Sequence, residues 1–279
     1  VHISHTKSDL SAYLKESSGS RALVMTMGAL HDGHLALVRE ARKTADNVIV
    51  SIYVNPLQFG PNEDFEAYPR DLEADLALLE PAGVDAVFAP TDDEMYPRDP
   101  LVRIEPGPVA TMLEGKTRPG HFAGVLQVVH KVFNLVQPDI AYFGQKDAQQ
   151  LALIRTMVAD LDMSVEIRAV PIQREASGLA LSSRNAYLTA EERANALALS
   201  QALKDGVRAG DEHGTIPEVI RAAVADISEN PKVKLDYLTL VDPQTFMPLQ
   251  PDFTGTGLLV VAAWVGSTRL IDNMEVFIG

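Results

Sequence analysis

The chain has no cysteine among its 279 residues. Disulfides and any thioester intermediate are thereby excluded, and a reducing cytoplasm suits such a composition. No apolar run approaches the ~20 residues that a membrane span needs, so no membrane partner is expected. Positive charge is scarce: 24 Lys and Arg stand against 38 Asp and Glu, for a formal net charge of −14. A surface of that sign opposes general attraction to nucleic acid. An anionic substrate must instead be met by a local cationic pocket. Internal repeats and low-complexity segments are missing, and Val1 to Lys7 is polar and does not read as a signal peptide. What is present is ample apolar material, 46% of residues, in a length that fits one large domain or two.

Strand and helix patterns alternate from Arg21 to Ile167. Short apolar runs at Arg21–Val24, Val48–Val54, Asp85–Ala89, Ile140–Phe143 and Val165–Ile167 read as buried strands. Helical spacing follows Leu35, extends from near Pro69 to Gly83, and returns at Gly124–Val136 and Ala148–Ala159. This order predicts an α/β fold, a Rossmann-like parallel sheet with helices on both faces. Between Pro90 and Gly120 prolines dominate, and a loop-rich excursion with a short strand near Val102 is expected. Beyond Pro171 the pattern changes. Thr189 and Glu192 form a capping-box signature ahead of a helix to about Ala209, and a second helix covers Ile216–Ile227. Three strand-like runs, Leu235–Val241, Leu258–Val265 and Leu270–Phe277, close the chain. The expected organisation is a nucleotide-binding domain over 1–175 and a smaller α+β lid domain over 176–279.

In an open parallel sheet, ligands bind beyond the carboxyl ends of the strands. Four polar stretches occupy such positions. The first, Met27-Gly28-Ala29-Leu30-His31-Asp32-Gly33-His34, is a strand-to-helix turn. A helix start favours an anion, and histidines there can donate to it. The two histidines, three apart with no third ligand in register, do not form a metal set, and no metal ligand can be named. The second stretch, Asn55-Pro56-Leu57-Gln58, offers two amides suited to a hydroxylated acid. In the third, Gly144-Gln145-Lys146-Asp147, an ammonium precedes a helix whose first turn holds Gln149 and Gln150. The fourth, Leu181-Ser182-Ser183-Arg184-Asn185, joins hydroxyls to a guanidinium that can grip phosphate. Plainer readings stand beside these: Asn55 completing a turn, Lys146 paired with Asp147, Ser182 capping. Arg118-Pro119-Gly120-His121 is a further candidate anion site that its proline and glycine explain equally well.

Together these motifs, in this order and across nearly the whole chain, closely resemble the pantothenate synthetases (pantoate–β-alanine ligases), of the His-x-Gly-His nucleotidyltransferase superfamily. The resemblance implies an ATP-dependent condensation of pantoate with β-alanine through pantoyl adenylate, releasing pyrophosphate and AMP. It also implies Mg²⁺ with the ATP and a cytoplasmic homodimer. By matching positions, Met27, Gly28, Ala29, Leu30, His31, Asp32, Gly33, His34, Gly144, Gln145, Lys146, Asp147, Gln173, Leu181, Ser182, Ser183 and Arg184 would line the ATP site. Catalytic roles would fall to His34, the family's proton donor, and to His31, Lys146, Ser182, Ser183 and Arg184. Gln58, Gln150 and Asn55 would serve pantoate and β-alanine. The chain departs from the family pattern at Met25, where proline is usual, and at Gln173, where a smaller apolar residue is common. Two rivals are another nucleotidyltransferase with a phosphorylated acceptor, which should want cations where Gln58 and Gln150 stand, and a nucleotide-binding scaffold without turnover, which has little reason to keep His34, Lys146 and Arg184 together.

Overall fold

A computed structural model describes residues 1–61, 63–212 and 214–279. The chain divides into two compact units, residues Val1–Gln145 with Leu153–Pro171, and residues Lys146–Ala152 with Ile172–Gly279.

The first unit is built on a six-stranded, all-parallel sheet in the order β1-β4-β3-β2-β5-β6. Its strands are β1 (His2–Ser4), β2 (Arg21–Thr26), β3 (Asn47–Ile52), β4 (Ala86–Phe88), β5 (Ile140–Gly144) and β6 (Glu166–Val170). The central strands carry unbroken apolar runs because both faces of a parallel sheet are covered. Ala22, Leu23 and Val24 on β2 and Val48, Ile49 and Val50 on β3 are completely buried. Helix α2 (Asp32–Arg42) lays Ala36, Leu37, Val38 and Ala41 on this core. The strand order fixes where a ligand belongs. From β2 the chain steps through β3 to β4 on one side and later returns to place β5 on the other. The switch point is therefore the gap between the ends of β2 and β5, where open α/β sheets leave a crevice.

Strand β1 and helix α1 (Lys7–Glu16) escape the sequence patterns. β1 is a three-residue edge strand, paired with β4 through Ile3 and Val87, and Ile3 is still 38% exposed. Only Leu10 and Leu14 of α1 are buried, too few to give a clear period. Helix α3 (Leu72–Leu79) begins later than Pro69 because the Asp71 side chain caps it, accepting from the Ala74 N–H at 3.0 Å. The strand expected near Val102 does not form. Prolines at 97, 100, 106 and 108 withhold ladder donors around it, and the Ile104 N–H goes to the Gln127 side chain at 3.1 Å. The excursion instead carries the short helices α4 (Asp92–Met95) and α5 (Glu114–Thr117). After it, α6 (His121–Val136) is buried along most of its length, and α7 (Ala148–Asp160) follows β5.

The second unit has an antiparallel sheet β7-β8-β9 over Val233–Val241, Gly255–Val265 and Thr268–Ile278. Helices α8 (Ala190–Asp211) and α9 (Ile216–Glu229) share one apolar core with it, including Leu199, Leu203, Val219, Ile227, Leu259 and Val261. The capping box at the start of α8 is present: Glu192 N donates to Thr189 Oγ1 at 3.2 Å, and Thr189 N to Glu192 Oε2 at 2.9 Å.

Candidate active site

In the first unit, the turn after β2 is shaped by left-handed backbone at Gly28 (φ +81°) and Ala29 (φ +50°). It delivers the chain to the head of α2, where both histidines cap the helix with their own rings. His31 Nδ1 accepts from Gly33 N at 3.1 Å, and His34 Nδ1 accepts from His31 N at 3.3 Å. The rings lie against each other, with centroids 4.1 Å apart. Because each Nδ1 is an acceptor here, the ring N–H of each neutral imidazole sits on Nε2. Two of the helix-start N–H groups thus serve the histidines, and the imidazoles supply Nε2–H donors of their own. Asp32 is exposed on the first turn, while Met27 and Gly33 are half-buried.

The loop after β3 holds Asn55 and Gln58, which are 1% and 7% exposed. Asn55 works within the chain. Its Oδ1 accepts from Leu57 N at 3.3 Å, and its Nδ2 donates to Gln58 Oε1 at 3.1 Å and to the Gly124 carbonyl at 3.0 Å. Gln58 is thereby oriented, with Nε2 3.1 Å from Met27 Sδ. α6 comes so close here that a Cβ on Gly124 would stand 2.1 Å from the Leu57 carbonyl oxygen.

Arg118 and His121 are tied up beneath this loop. Arg118 Nε and Nη2 both donate to Glu63 Oε2, at 2.9 and 2.5 Å. Its Nη1 donates to His121 Nε2 at 3.0 Å, which leaves the His121 proton on Nδ1, donated to the Gln58 carbonyl at 2.8 Å. Burial first, and the Arg118 charge second, push His121 down to about 4. The sequence offers this segment as an anion site; the structure gives its cation to Glu63 and its imidazole to the loop backbone.

Gly144 and Gln145 end the first unit's contribution at the carboxyl end of β5. Lys146, the next residue, opens the segment grouped with the second unit, where its carbonyl accepts from Asn273 Nδ2 at 3.0 Å. Asp147 is exposed, Gln149 is buried and Gln150 half-buried. Gln173 and Leu181 face each other at the mouth of a tight hairpin, Leu181 N donating to the Gln173 carbonyl at 2.9 Å. Ser182 caps a 3-10 turn over Ser183–Tyr187 by accepting from Arg184 N at 3.3 Å.

A second set of residues, with no motif to announce it, holds these pieces. Arg174 makes a two-pronged ion pair with Asp272 on β9, at 2.7 and 2.8 Å, and Asp272 also accepts from Asn273 N at 2.8 Å. The hairpin after Gln173 and the backbone of Lys146 are therefore fastened to adjacent positions of one strand. The only hint in the sequence is the polar pair Asp272-Asn273 inside the apolar run from Leu270 to Ile278. No cluster of three His, Cys, Asp or Glu able to hold a metal occurs among the described residues.

Compared with known proteins, residues 2–275 match the sequence profile of the pantoate-beta-alanine ligase family. Pantothenate synthetase of Thermobifida fusca is 52% identical over 98% of this chain and 94% of its own length. That of Corynebacterium glutamicum is 55% identical over 92% and 93%. Among solved structures, pantothenate synthetase from Thermus thermophilus superposes with a TM-score of 0.95 at 46% identity, covering 99% of this chain and 100% of that one. Pantoate-beta-alanine ligase from Francisella tularensis, complexed with beta-gamma ATP and beta-alanine, gives 0.81 at 35% identity over 98% and 97%.

Proposed function

The chain belongs to the pantoate–β-alanine ligase family, and from that premise we propose that it condenses pantoate with β-alanine at the expense of ATP. In the first step the pantoate carboxylate attacks the α-phosphorus of ATP, and pyrophosphate leaves. The carboxylate is already ionised at neutral pH, so this step needs no general base. It needs an in-line approach and donors for the charge growing on phosphate oxygens. In the second step the free amine of β-alanine attacks the acyl carbon of pantoyl adenylate, forming the amide as AMP leaves and the amine sheds a proton.

The observation that carries this reading is the double-imidazole cap of α2 at the switch point of the parallel sheet, with Nε2–H donors on His31 and His34. By the family resemblance, the residues assigned to ATP are Met27 to His34, Gly144 and Gln145 in the first unit and Lys146, Asp147, Gln173 and Leu181 to Arg184 in the second. Lys146, Ser182, Ser183 and Arg184 supply further donors to the triphosphate. Gln58 and Gln150 hold pantoate, and Asn55 sets the amide of Gln58. Amides rather than cations at these two positions favour a neutral, hydroxylated acid over a phosphorylated acceptor. Magnesium enters as Mg²⁺–ATP, as the family resemblance implies. A homodimer in the cytoplasm follows from the family resemblance, and light scattering checks the dimer. No helix among the described residues is long and apolar enough to cross a membrane.

The test is incubation with Mg²⁺–ATP, with and without pantoate and β-alanine, following AMP and pyrophosphate. AMP formed only when both acids are present supports the ligase. Pyrophosphate release with a phosphorylated acceptor, or binding without turnover, refutes it.

A further inference from the structure

Asp75 is 3% exposed, in the first turn of α3. Its carboxylate spans the turn that precedes His31. Oδ2 accepts from Ala29 N at 3.1 Å, and Oδ1 accepts from Leu30 N at 2.8 Å. These successive N–H groups follow the left-handed Gly28 and Ala29, the kind of backbone concavity that ordinarily cups an anion. Here the anion is a side chain of the protein, 45 and 46 residues away in sequence. Gly28 closes the arrangement, since a Cβ there would stand 2.8 Å from Asp75 Oδ2.

The fold gives this carboxylate little besides those two bonds. Burial pushes the Asp75 carboxyl up, the bonds from Leu30 and Ala29 pull it down, and Asp71 at the cap of the same helix pushes it up again. A buried carboxylate compensated mainly by two loop N–H groups is a costly way to fill a core position. It is an effective way to hold one conformation, because Ala29 in left-handed backbone has a cost that something must offset.

We propose that Asp75 is a positioning residue for ATP binding: by engaging the Ala29 and Leu30 N–H groups it fixes the turn that sets the His31–His34 cap against the nucleotide. The proposal rests on the functional reading above. Asp75 touches no substrate and takes no part in bond making. Its effect reaches ATP only through the shape of the turn.

Asp75→Asn separates holding the turn from holding the fold. The amide keeps one acceptor but meets the other N–H with an NH₂ group, so one of the two bonds is lost. The N–H left unpaired costs the unit some stability, and relief of the buried charge offsets part of that. In equilibrium dialysis with Mg²⁺–ATP, the dissociation constant is expected to rise at least about tenfold. The melting temperature should fall by no more than a few degrees, and KM for β-alanine should stay at the parent value. Adding Ala29→Gly should regain about threefold of the lost affinity, because glycine takes the left-handed conformation without its steric cost. An affinity within twofold of the parent overturns the proposal. So does a loss that tracks a lower melting temperature and is not eased by Ala29→Gly. If Asp75→Asn does not fold, Gly28→Ala carries the same test, with its Cβ crowding Oδ2, and unchanged ATP affinity again overturns the proposal. A parent that binds ATP but forms no AMP with pantoate and β-alanine refutes the functional reading, while the Asp75 assignment is still decided by the dissociation constants. A parent that does not bind ATP ends both.

Discussion

Buried and neutral, His121 ties the acid stability of the first unit to the geometry of the Gln58 loop. Its pKa is lowered to about 4 from 6.5, with burial the largest cause and the Arg118 charge next. Between those values the unfolded chain binds a proton that the native protein refuses. Stability therefore rises with pH across the window and is lost as pH falls from about 6.5 toward 4. At about 1.36 kcal/mol per pH unit, the gap amounts to about 3 kcal/mol. The carboxyls with lowered values, among them Asp242 and Glu192, begin from 3.8 and 4.5 in the unfolded chain, so their losses fall below most of this window. The assay is urea denaturation at half-unit intervals from pH 7 to 4, comparing the parent with His121→Asn. The asparagine amide can still donate to the Gln58 carbonyl and has no proton to gain. The parent should lose about 3 kcal/mol more than the variant between pH 6.5 and 4. Parallel stability curves would refute the reasoning, since they would mean that His121 gains its proton without leaving its place.

Replacing His34 or Lys146 by alanine should slow pyrophosphate release about 100-fold, the usual loss for one preorganised donor of ~3 kcal/mol, with the circular dichroism spectrum unchanged. Near-normal release would remove that residue from the role proposed for it. Gly124→Ala puts a Cβ 2.1 Å from the Leu57 carbonyl oxygen and 2.6 Å from Gln58 N. The loop must move, so KM for pantoate should rise about tenfold or more in initial-rate assays, at a stability cost of about 1–3 kcal/mol. Arg174→Ala strands Asp272, whose side chain is 3% exposed, and should destabilise the second unit by about 3–5 kcal/mol in thermal or urea unfolding. Adding Asp272→Asn should recover much of that loss, because no buried charge is then left unpaired.

Much of the fold is legible in the sequence because its signals are local. Val48-Ile49-Val50 reads as a doubly covered strand whatever surrounds it, and all three residues are fully buried. Thr189 and Glu192 specify a helix start within four residues, and they form it. Failures occur where a long-range partner decides. Leu101 and Val102 have strand-forming side chains but are 84% and 83% exposed, flanked by prolines that bar them from a ladder. β1 is a strand only because β4 lies beside it. The site divides in the same way. His31, His34, Gln58, Lys146 and Arg184 stand in motifs, whereas Asp75 sits in Leu72-Glu73-Ala74-Asp75 and reads there as one more acidic residue on a solvated face. Only the approach of α3 to a turn 45 residues earlier reveals what it holds.

The residues that anchor the loops share one chemistry, and it follows from what the reaction demands. Developing charge on a phosphate is stabilised most by donors that are already in place, since any reorganisation at the moment of reaction subtracts from the gain. A loop cannot preorganise itself, because its backbone groups have no ladder to join. Each loop is therefore anchored through a buried polar group borrowed from a regular element. Asp75 of α3 takes the N–H groups of the turn before His31. His121 of α6 donates to the carbonyl of Gln58. Asp272 and Asn273 of β9 hold Arg174 and the carbonyl of Lys146. Such groups are expensive to bury and would be poor choices for stability alone. Their expense is intelligible if the quantity being protected is the position of a donor, and this is why Asp75→Asn should weaken ATP binding out of proportion to its effect on the melting temperature.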